Sequence, residues 1–389
     1  MELAARGAQE PVVFDEAVGQ WFVFTYDDIC AALADPRLTV DRMHRFAERV
    51  PPAVVDALRA HAAWIVDPEG DDFEWVRPVL RSGLQRMVGS RRRRAIAATA
   101  EALLDDLLAT DAFDVVGDYA WALSGRVLAD FLGVDSADGR RLMGWAWDFV
   151  AFFDDLEVRV DTTDRMARSA AAMAAYAQEL LAEGQLRDGV LAQIAEAAAA
   201  KGHRLDDETV GNLMLPLLIG QVPVAQLVAN CLWLLLAHAD QRSRLAERPN
   251  LLAGAIEETL RYMPPGPLAG RIAVEPFPLR GWVVEPMQTI QLAIGAANRD
   301  PARFPDPDRF DIARRPGGAL TFGHGPHSCL GAGLARMQAA TGLQALLRRA
   351  PDLALDPGRP VVWSELPGLL GPRELSVRPS AEPAARPAR

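Results

Sequence analysis

Residues 321–331, which read TFGHGPHSCLG, constrain the fold of this chain more than any other stretch. Their three glycines let the backbone approach a large flat ligand closely, because glycine lacks a side chain that would hold it away. A helical pattern continues over 330–350, so Cys329 lies at the N-terminus of a helix. Backbone amides and the helix dipole favour a thiolate there. This stretch, called the cysteine loop below, predicts a thiolate ligand; the alternative for a lone cysteine is a buried structural residue after a turn.

The composition is that of an acidic globular protein with a sizeable core. The 389 residues are 50% hydrophobic and 24% charged, and the net charge of −11 argues against a nucleic-acid partner. Cys30, Cys231 and Cys329 lie far apart, without the spacing of a disulfide framework or a zinc site, which fits a reducing compartment. The N-terminal residues lack the apolar core of a signal peptide or anchor. We therefore expect a cytoplasmic protein with no membrane association.

The stretch 213–239 is the most apolar part of the chain and resembles a membrane span in length. Polar residues and prolines interrupt it, namely Pro216, Gln221, Pro223, Gln226 and Asn230. A lipid-facing helix with these residues would be costly. We therefore predict that this central helix is buried inside a large protein.

The cysteine loop resembles F-G-x-G-x-H-x-C-L-G, the haem-ligand loop of bacterial cytochrome P450 enzymes of the soluble type. The resemblance implies haem b as the cofactor, with Cys329 as the proximal iron ligand. It implies that His327 donates to a haem propionate and that Phe322 packs beneath the ring. Close approach to the ring would then depend on three glycines, Gly323, Gly325 and Gly331.

A second family motif, E-x-x-R, lies in the helical stretch 255–262. Glu258 and Arg261 are three residues apart, which places them on one helix face within reach of an ion pair. The sequence 307–310 matches the family element P-x-R-F. The resemblance implies that Arg309 completes a structural network with Glu258 and Arg261, and that this network braces the cysteine loop.

Two further arginines match family positions that bind haem propionates. Arg271 begins a strand-rich region, and Arg77 matches the last arginine of a family motif whose histidine is replaced here by Phe73. The alternative for both arginines is an exposed position without a ligand. The run 91–94 consists of four arginines; it is either a solvated helix start or part of a docking patch for an acidic electron donor.

The resemblance extends over residues 21–378. It implies a mainly α fold with small β-sheets (α+β), the cytochrome P450 fold, in which the haem lies between the central helix and the helix after the cysteine loop. We expect one domain, residues 1–378, and a monomer. Residues 379–389 are rich in Pro, Ala and Arg and should form a disordered tail.

The central helix departs from the family at its oxygen-activating motif. Most monooxygenases of the family have [AG]-G-x-[DE]-T, whereas this chain has IGQVP at 219–223. Val222 occupies the acid position and Pro223 the alcohol position, and neither side chain can transfer the protons that oxygen activation consumes. Gln221 is the nearest polar side chain at these catalytic positions.

Pro223 has a second consequence, because it lacks an amide hydrogen. The carbonyl of Ile219 loses its helical partner and is free to accept a bond from water or substrate. The alternative is a merely kinked helix whose proton relay is rebuilt from water or a substrate hydroxyl. Gly220 and Leu268, in the turn 267–269, are the residues we expect to line the substrate pocket.

These observations leave several functions open. The first is a monooxygenase of small-molecule, secondary-metabolite biosynthesis that receives electrons from ferredoxin and ferredoxin reductase. The second is a haem-thiolate enzyme that uses peroxide directly, and the third catalyses cyclisation, coupling or rearrangement without oxygen insertion. A function of another class is a silent helper of a partner enzyme, which the retained haem-site residues argue against.

Overall fold

The computed structural model describes residues 10–40, 71–154, 159–182, 189–200, 202, 214–315 and 317–379, without the side chains of 71–77. Most of the described chain is helical, which confirms the mainly α prediction. The helices are α1 Tyr26–Ala34, α2 Asp71–Met87, α3 Ser90–Leu107, α4 Ala122–Leu132, α5 Gly139–Asp154, α6 Val160–Ala182, α7 Val190–Ala200, α8 Gln221–Ala237, α9 Ala239–Glu247, α10 Leu252–Tyr262, α11 Ile294–Ala297 and α12 Ala332–Arg349.

Twelve short strands form four small sheets among the described residues. They are β1 Val12–Asp15, β2 Gln20–Val23, β3 Leu38–Thr39, β4 Phe113–Asp114, β5 Ala269–Ala273, β6 Phe277–Leu279, β7 Trp282–Val284, β8 Thr289–Leu292, β9 Ala354–Leu355, β10 Val362–Trp363, β11 Pro372–Glu374 and β12 Ser376–Arg378. The largest sheet has the order β1-β2-β8-β5-β3, and in it only the β2–β8 pair is parallel. The others pair β4-β12-β9, β6-β7 and β10-β11.

The central helix lies inside the protein. Within the described residues, Met214–Ala237 is the one helix long and apolar enough to cross a membrane, and 72% of its most apolar window is buried. Gly220 separates residues 214–219 from α8 and keeps nearly helical φ/ψ angles of −63° and −21°. The prediction of a buried core helix is confirmed, because neighbouring helices rather than lipid surround its apolar side chains.

The helices share one hydrophobic core, and the largest sheet has a second, smaller one. Tyr119, Phe149 and Phe152 are among the largest fully buried side chains of the helical core. Truncating such a ring to alanine typically costs about 3–5 kcal/mol. The predicted single domain stays a prediction. The predicted disordered tail also stays a prediction, since residues 380–389 lie outside the described part of the chain.

Candidate active site

The cysteine loop is a compact turn held by its own backbone. The amide of Cys329 donates to the carbonyl of Phe322 at 2.8 Å, and the amide of Gly323 donates to Leu320 at 2.8 Å. Gly323 and Gly325 have φ values of +74° and +77°, a left-handed conformation that side chains with a Cβ rarely adopt. The glycines predicted from the sequence therefore shape the loop, and α12 begins three residues after the cysteine.

The sulfur of Cys329 has backbone donors on one side. The amides of Gly331 and Ala332 bond to the thiol and lower its pKa, as does the charge of Arg336. Burial is the largest effect, however, and raises the pKa above the usual value of a cysteine. Cys329 as a whole residue is nevertheless exposed, so it is not the buried structural cysteine of the alternative interpretation. Metal coordination would reverse this balance, since a bound metal ion deprotonates its thiol ligand.

Phe322 of the cysteine loop and Arg336 of α12 form a stacked pair. The guanidinium carbon of Arg336 lies 4.4 Å from the centre of the Phe322 ring, and the same guanidinium forms an ion pair with Glu257. A cation over the face of an aromatic ring is attracted by the ring quadrupole. The pair therefore fixes the orientation of Phe322, whose predicted packing beneath the haem stays a prediction.

Glu258 and Arg261 form the buried ion pair that their spacing predicts. Arg261 donates to both carboxylate oxygens at 2.8 Å, and both residues are nearly fully buried. Arg261 also donates through Nη1 to the carbonyls of Asn298 at 3.0 Å and Pro307 at 2.8 Å. A bidentate pair with further partners is strong enough to justify burial.

The prediction that Arg309 completes this network is wrong. Arg314 donates through Nε to Glu258 at 3.0 Å and through Nη2 to the carbonyl of Arg309 at 3.0 Å. Arg309 is exposed and contributes its backbone carbonyl, which also accepts from Arg261 at 3.2 Å. Phe310 takes the buried position beside it, so the neighbouring arginine side chain points to solvent.

Asn298 connects the ion-pair network to the cysteine loop. Its Oδ1 accepts from the amide of Leu320 at 2.7 Å, and its Nδ2 donates to Thr321 Oγ1 at 3.0 Å. Thr321 in turn donates to the carbonyl of Leu260 in α10 at 2.5 Å. Asn298 is fully buried, and our sequence analysis assigned it no role. No spacing or charge pattern in the sequence marks this asparagine.

The arginines predicted to bind propionates differ in what the structure shows. Arg271 lies in β5, paired on both sides within the largest sheet, and is 6% exposed. Its Nη1 donates to the carbonyl of Gly270 at 2.9 Å. Arg77 lies in α2, but its side chain is outside the described residues. His327 ends a short 3₁₀ turn, Gly325–His327, and is half-buried.

The residues that replace the family acid and alcohol lie at the start of α8. Val222 is 1% exposed, whereas Pro223 is half-buried and Gly220 is exposed. Gln221 is buried, and its Oε1 has no hydrogen-bond partner in the described structure. Leu268, the other predicted pocket residue, is half-buried. Gly220 and Pro223 therefore belong to the open side of the helix, and Val222 faces the core.

The donor set fits a haem better than a metal ion bound by side chains alone. Among the residues that the structure describes, no group of three or more His, Cys, Asp or Glu could hold a metal ion. Haem iron needs a single protein ligand on its proximal side, and Cys329 with its two amide donors has that chemistry. Arg271 is a buried cation in the sheet, as carboxylate-bearing haem requires.

A family model and curated relatives both match this chain. Residues 238–358 match the model described as Cytochrome P450. The chain is 35% identical over 384 residues to cytochrome P450 monooxygenase PikC of Streptomyces venezuelae, covering 97% of this chain and 89% of the relative. It is 33% identical over 364 residues to mycinamicin IV hydroxylase/epoxidase of Micromonospora griseorubida, covering 92% and 89%.

Solved structures resemble the fold over nearly its whole length. The crystal structure of CalO2 matches with a TM-score of 0.87 and 28% identity, covering 97% of this chain and 95% of that chain. P450BioI, solved in complex with hexadec-9Z-enoic acid ligated acyl carrier protein, matches with a TM-score of 0.83 and 27% identity, covering 97% of both chains. Sequence, fold and the cysteine loop agree, and this chain belongs to the cytochrome P450 family.

Proposed function

We propose that this protein is a haem-thiolate monooxygenase that acts on a small-molecule intermediate of secondary metabolism and obtains its protons by an unusual route. The family binds haem b, and its members named above are monooxygenases and hydroxylases. The single observation that carries the proposal is the cysteine loop, in which two backbone amides converge on the Cys329 sulfur.

Residues of this chain would hold the cofactor from two sides. Cys329 would bind the iron, and Arg271, His327 and Arg77 would bind the propionates. The bound haem supplies oxygen activation, which electron donation from a thiolate favours. The network of Glu258 and its partners would keep the loop at a fixed distance from the central helix.

The unusual proton route rests on the side chains at 221–223. Val222 is apolar and buried, and Pro223 has neither a hydroxyl nor an amide hydrogen. A buried, unpaired amide oxygen costs about 1–3 kcal/mol, so Gln221 Oε1 favours a donor from elsewhere. We propose that it accepts a hydrogen bond from a water molecule or a substrate hydroxyl. An amide is no general acid, so the transferred protons would come from that water or hydroxyl.

The proposed electron donor is ferredoxin with ferredoxin reductase, and the proposed state is a cytoplasmic monomer. The arginine run at the start of α3 supports an acidic donor. Arg91, Arg93 and Arg94 are exposed, while Arg92 forms an ion pair with Asp130. These three exposed cations have no acidic partner within the described part of the chain, so they leave positive charge in an otherwise acidic protein.

The test is turnover of the haem-loaded protein with NAD(P)H, ferredoxin and ferredoxin reductase under isotopically labelled dioxygen. Suitable probes are mycinamicin IV, cyclomarin C and 6-deoxyerythronolide B, the compounds after which three relatives of this chain are named. A shift of the haem absorption on binding selects the compound for turnover. The proposal predicts one labelled oxygen atom in the product; a product of unchanged oxygen content contradicts it and supports cyclisation, coupling or rearrangement.

Direct use of peroxide is the second candidate, and Pro223 is the observation that favours it. Peroxide already carries the protons that dioxygen must acquire, so an enzyme that uses it needs no relay at the 222 and 223 positions. Turnover with peroxide alone, and none with ferredoxin, would establish this candidate. Turnover under neither condition, with haem bound and the selected compound present, would favour the helper function.

A further inference from the structure

Two amide side chains are buried on the central helix without a role in the proposed chemistry. Gln226 is 3% exposed and Asn230 is fully buried, in a helix whose other buried side chains are almost all apolar. Burying an amide without hydrogen bonds costs several kcal/mol at most and about 1–3 kcal/mol in proteins. Because these two residues interrupt the apolar pattern of the helix, their hydrogen-bond partners indicate their role.

The partners are backbone carbonyls of two distant segments. Asn230 Nδ2 donates to Met263 at 3.1 Å and to Leu370 at 2.8 Å. Gln226 Nε2 donates to Pro372 at 3.0 Å and to Asn230 Oδ1 at 3.0 Å. The two amides thus bind each other and attach both the end of α10 and the chain before β11 to the central helix.

The two segments are also joined to each other, and the second segment contains one residue that must be glycine. The amide of Leu370 donates to the carbonyl of Pro265 at 2.9 Å. Gly371 has a φ of +150°, and a Cβ there would lie 2.0 Å from Asn230 Oδ1 and 2.1 Å from Gln226 Nε2. The backbone therefore approaches the amides too closely for any side chain, as expected for a contact built into the fold.

The positions of the amides place these segments beside the helix face that begins with Ile219 and Pro223. Ile219, Pro223, Gln226 and Asn230 are spaced by four, three and four residues, so they lie along one face of the helix. Ile219 and Pro223 are half-buried, whereas the two amides are covered. Gln226 lies about 4.5 Å beyond Pro223 along the axis. The covering segments therefore begin where the open part of this face ends.

We propose that Gln226 and Asn230 are positioning residues that hold the segments 263–268 and 369–372 as one wall of the substrate site. This inference rests on the proposed function, which places substrate over the start of α8. Leu268 is half-buried and Leu370 is 38% exposed. Both leucines can therefore contact the apolar part of a substrate. The amides do not touch the substrate but determine where its apolar part binds.

The experiment compares two iron ligands on the haem-loaded full chain. The proposal predicts that the phenyl ring of 4-phenylimidazole, bound to the iron through its imidazole ring, contacts these two segments, whereas imidazole alone does not. The variants are Gln226→Met and Asn230→Leu, which keep the approximate shape of each side chain and remove its donors. The control is Gln338→Met, because Gln338 is equally buried in α12 and donates to Ser124 Oγ at 2.8 Å, away from both segments.

We expect each variant to weaken the binding of 4-phenylimidazole by about tenfold, the equivalent of losing one or two hydrogen bonds that fix the wall. The dissociation constant of imidazole should change by less than about twofold, and the reduced carbon monoxide spectrum should stay that of a thiolate complex. Gln338→Met should lower the melting temperature without changing the ratio of the two dissociation constants. If Asn230→Leu does not fold, Gln226→Met decides, since it removes the bond to one segment only.

The outcomes separate this inference from the proposed function. An unchanged ratio in folded variants, while the unaltered protein prefers 4-phenylimidazole, overturns the positioning role alone. If the unaltered protein shows no preference between the ligands, the placement of substrate beside these segments fails and the inference fails with it. A changed ratio in the amide variants and in Gln338→Met alike would show general loosening of the fold, which also contradicts the proposal.

Discussion

Arg314 Nε donates to Glu258 Oε1 at 3.0 Å. The same oxygen also accepts from Arg261 at 2.8 Å and from the amide of Asp311 at 3.0 Å, so the buried carboxylate has donors on each side. Arg314 reaches further, to the carbonyls of Pro305 at 2.6 Å and Asp306 at 2.9 Å. The contact therefore joins α10 to the irregular chain at 305–311, and Arg261 links the same helix to Asn298, which bonds to the cysteine loop.

Replacing Arg314 by alanine should destabilise the protein by about 2–3 kcal/mol. Glu258 would stay buried with one cation instead of two, and removing one partner of a buried charge is costly. Arg309→Ala is the matched control and should change the free energy of unfolding by less than about 0.5 kcal/mol, because its side chain is exposed. Urea unfolding of both variants measures the difference. Equal losses would contradict the placement of Arg314 in the network.

Asn298→Leu should loosen the cysteine loop more than it destabilises the whole fold. The variant keeps the branched shape of the side chain but leaves the amide of Leu320 and Thr321 Oγ1 without their partner. An unsatisfied buried donor costs about 1–3 kcal/mol. We expect the reduced carbon monoxide complex to lose its thiolate band at lower urea than in the unaltered protein. Asn298→Asp keeps the acceptor for Leu320, so it should lose the band at a urea concentration between those of the unaltered protein and Asn298→Leu. Loss of the band together with global unfolding would refute the local effect.

Cys329→Ala should abolish the thiolate signature of the reduced carbon monoxide spectrum completely. The sulfur is the only part of this residue that can bind iron, and it is the atom to which the amides of Gly331 and Ala332 bond. Cys30→Ala is the control, because Cys30 is half-buried in α1 and bonds to Tyr26. The spectrum of that variant should be unchanged. A thiolate band that persists in Cys329→Ala would sink the ligand assignment.

The sequence was most informative where function depends on local spacing. Cys329 and its glycines are contiguous, and Glu258 and Arg261 lie on adjacent helical turns, so their relationship follows from chain geometry. Arg314 could not be ranked above Arg309 on this basis. The choice between two arginines five residues apart depends on which one an irregular turn directs inward, and no periodicity describes such a turn.

The same limit applies to the buried amides. Gln226 and Asn230 were visible as polar interruptions of an apolar helix, which correctly indicated a protein interior instead of lipid. Their partners lie up to about 150 residues away in sequence, and side-chain pattern carries no information about such contacts. The small sheets were foreseen as a class, but their order, with β2 beside β8, depends on tertiary packing.

Restoring the family motif in the double variant Val222→Asp with Pro223→Thr should raise NAD(P)H consumption by at least about tenfold, with or without a benefit to the native reaction. An acid and an alcohol would supply protons that the native side chains cannot, and a positioned acid–base group contributes about 10²–10⁴-fold. The control, Val222→Asn with Pro223→Val, restores the backbone amide without the relay. Unchanged consumption in the first variant would count against an altered proton route; equal increases in both would assign the effect to the backbone.

Gly371→Ala tests the close contact between the chain before β11 and the central helix. A Cβ at this position would collide with both Gln226 and Asn230, and its φ of +150° is unfavourable for alanine as well. Gly281→Ala is the control for a positive φ without a steric clash, since Gly281 has a φ of +87° but no atom within 4 Å of the added Cβ. We expect a loss of about 1–2 kcal/mol at Gly281 from strain alone, and at least about 3 kcal/mol at Gly371, where overpacking adds to it. Thermal unfolding of the haem-loaded variants measures both; equal losses would mean that the amides do not hold this segment against the helix.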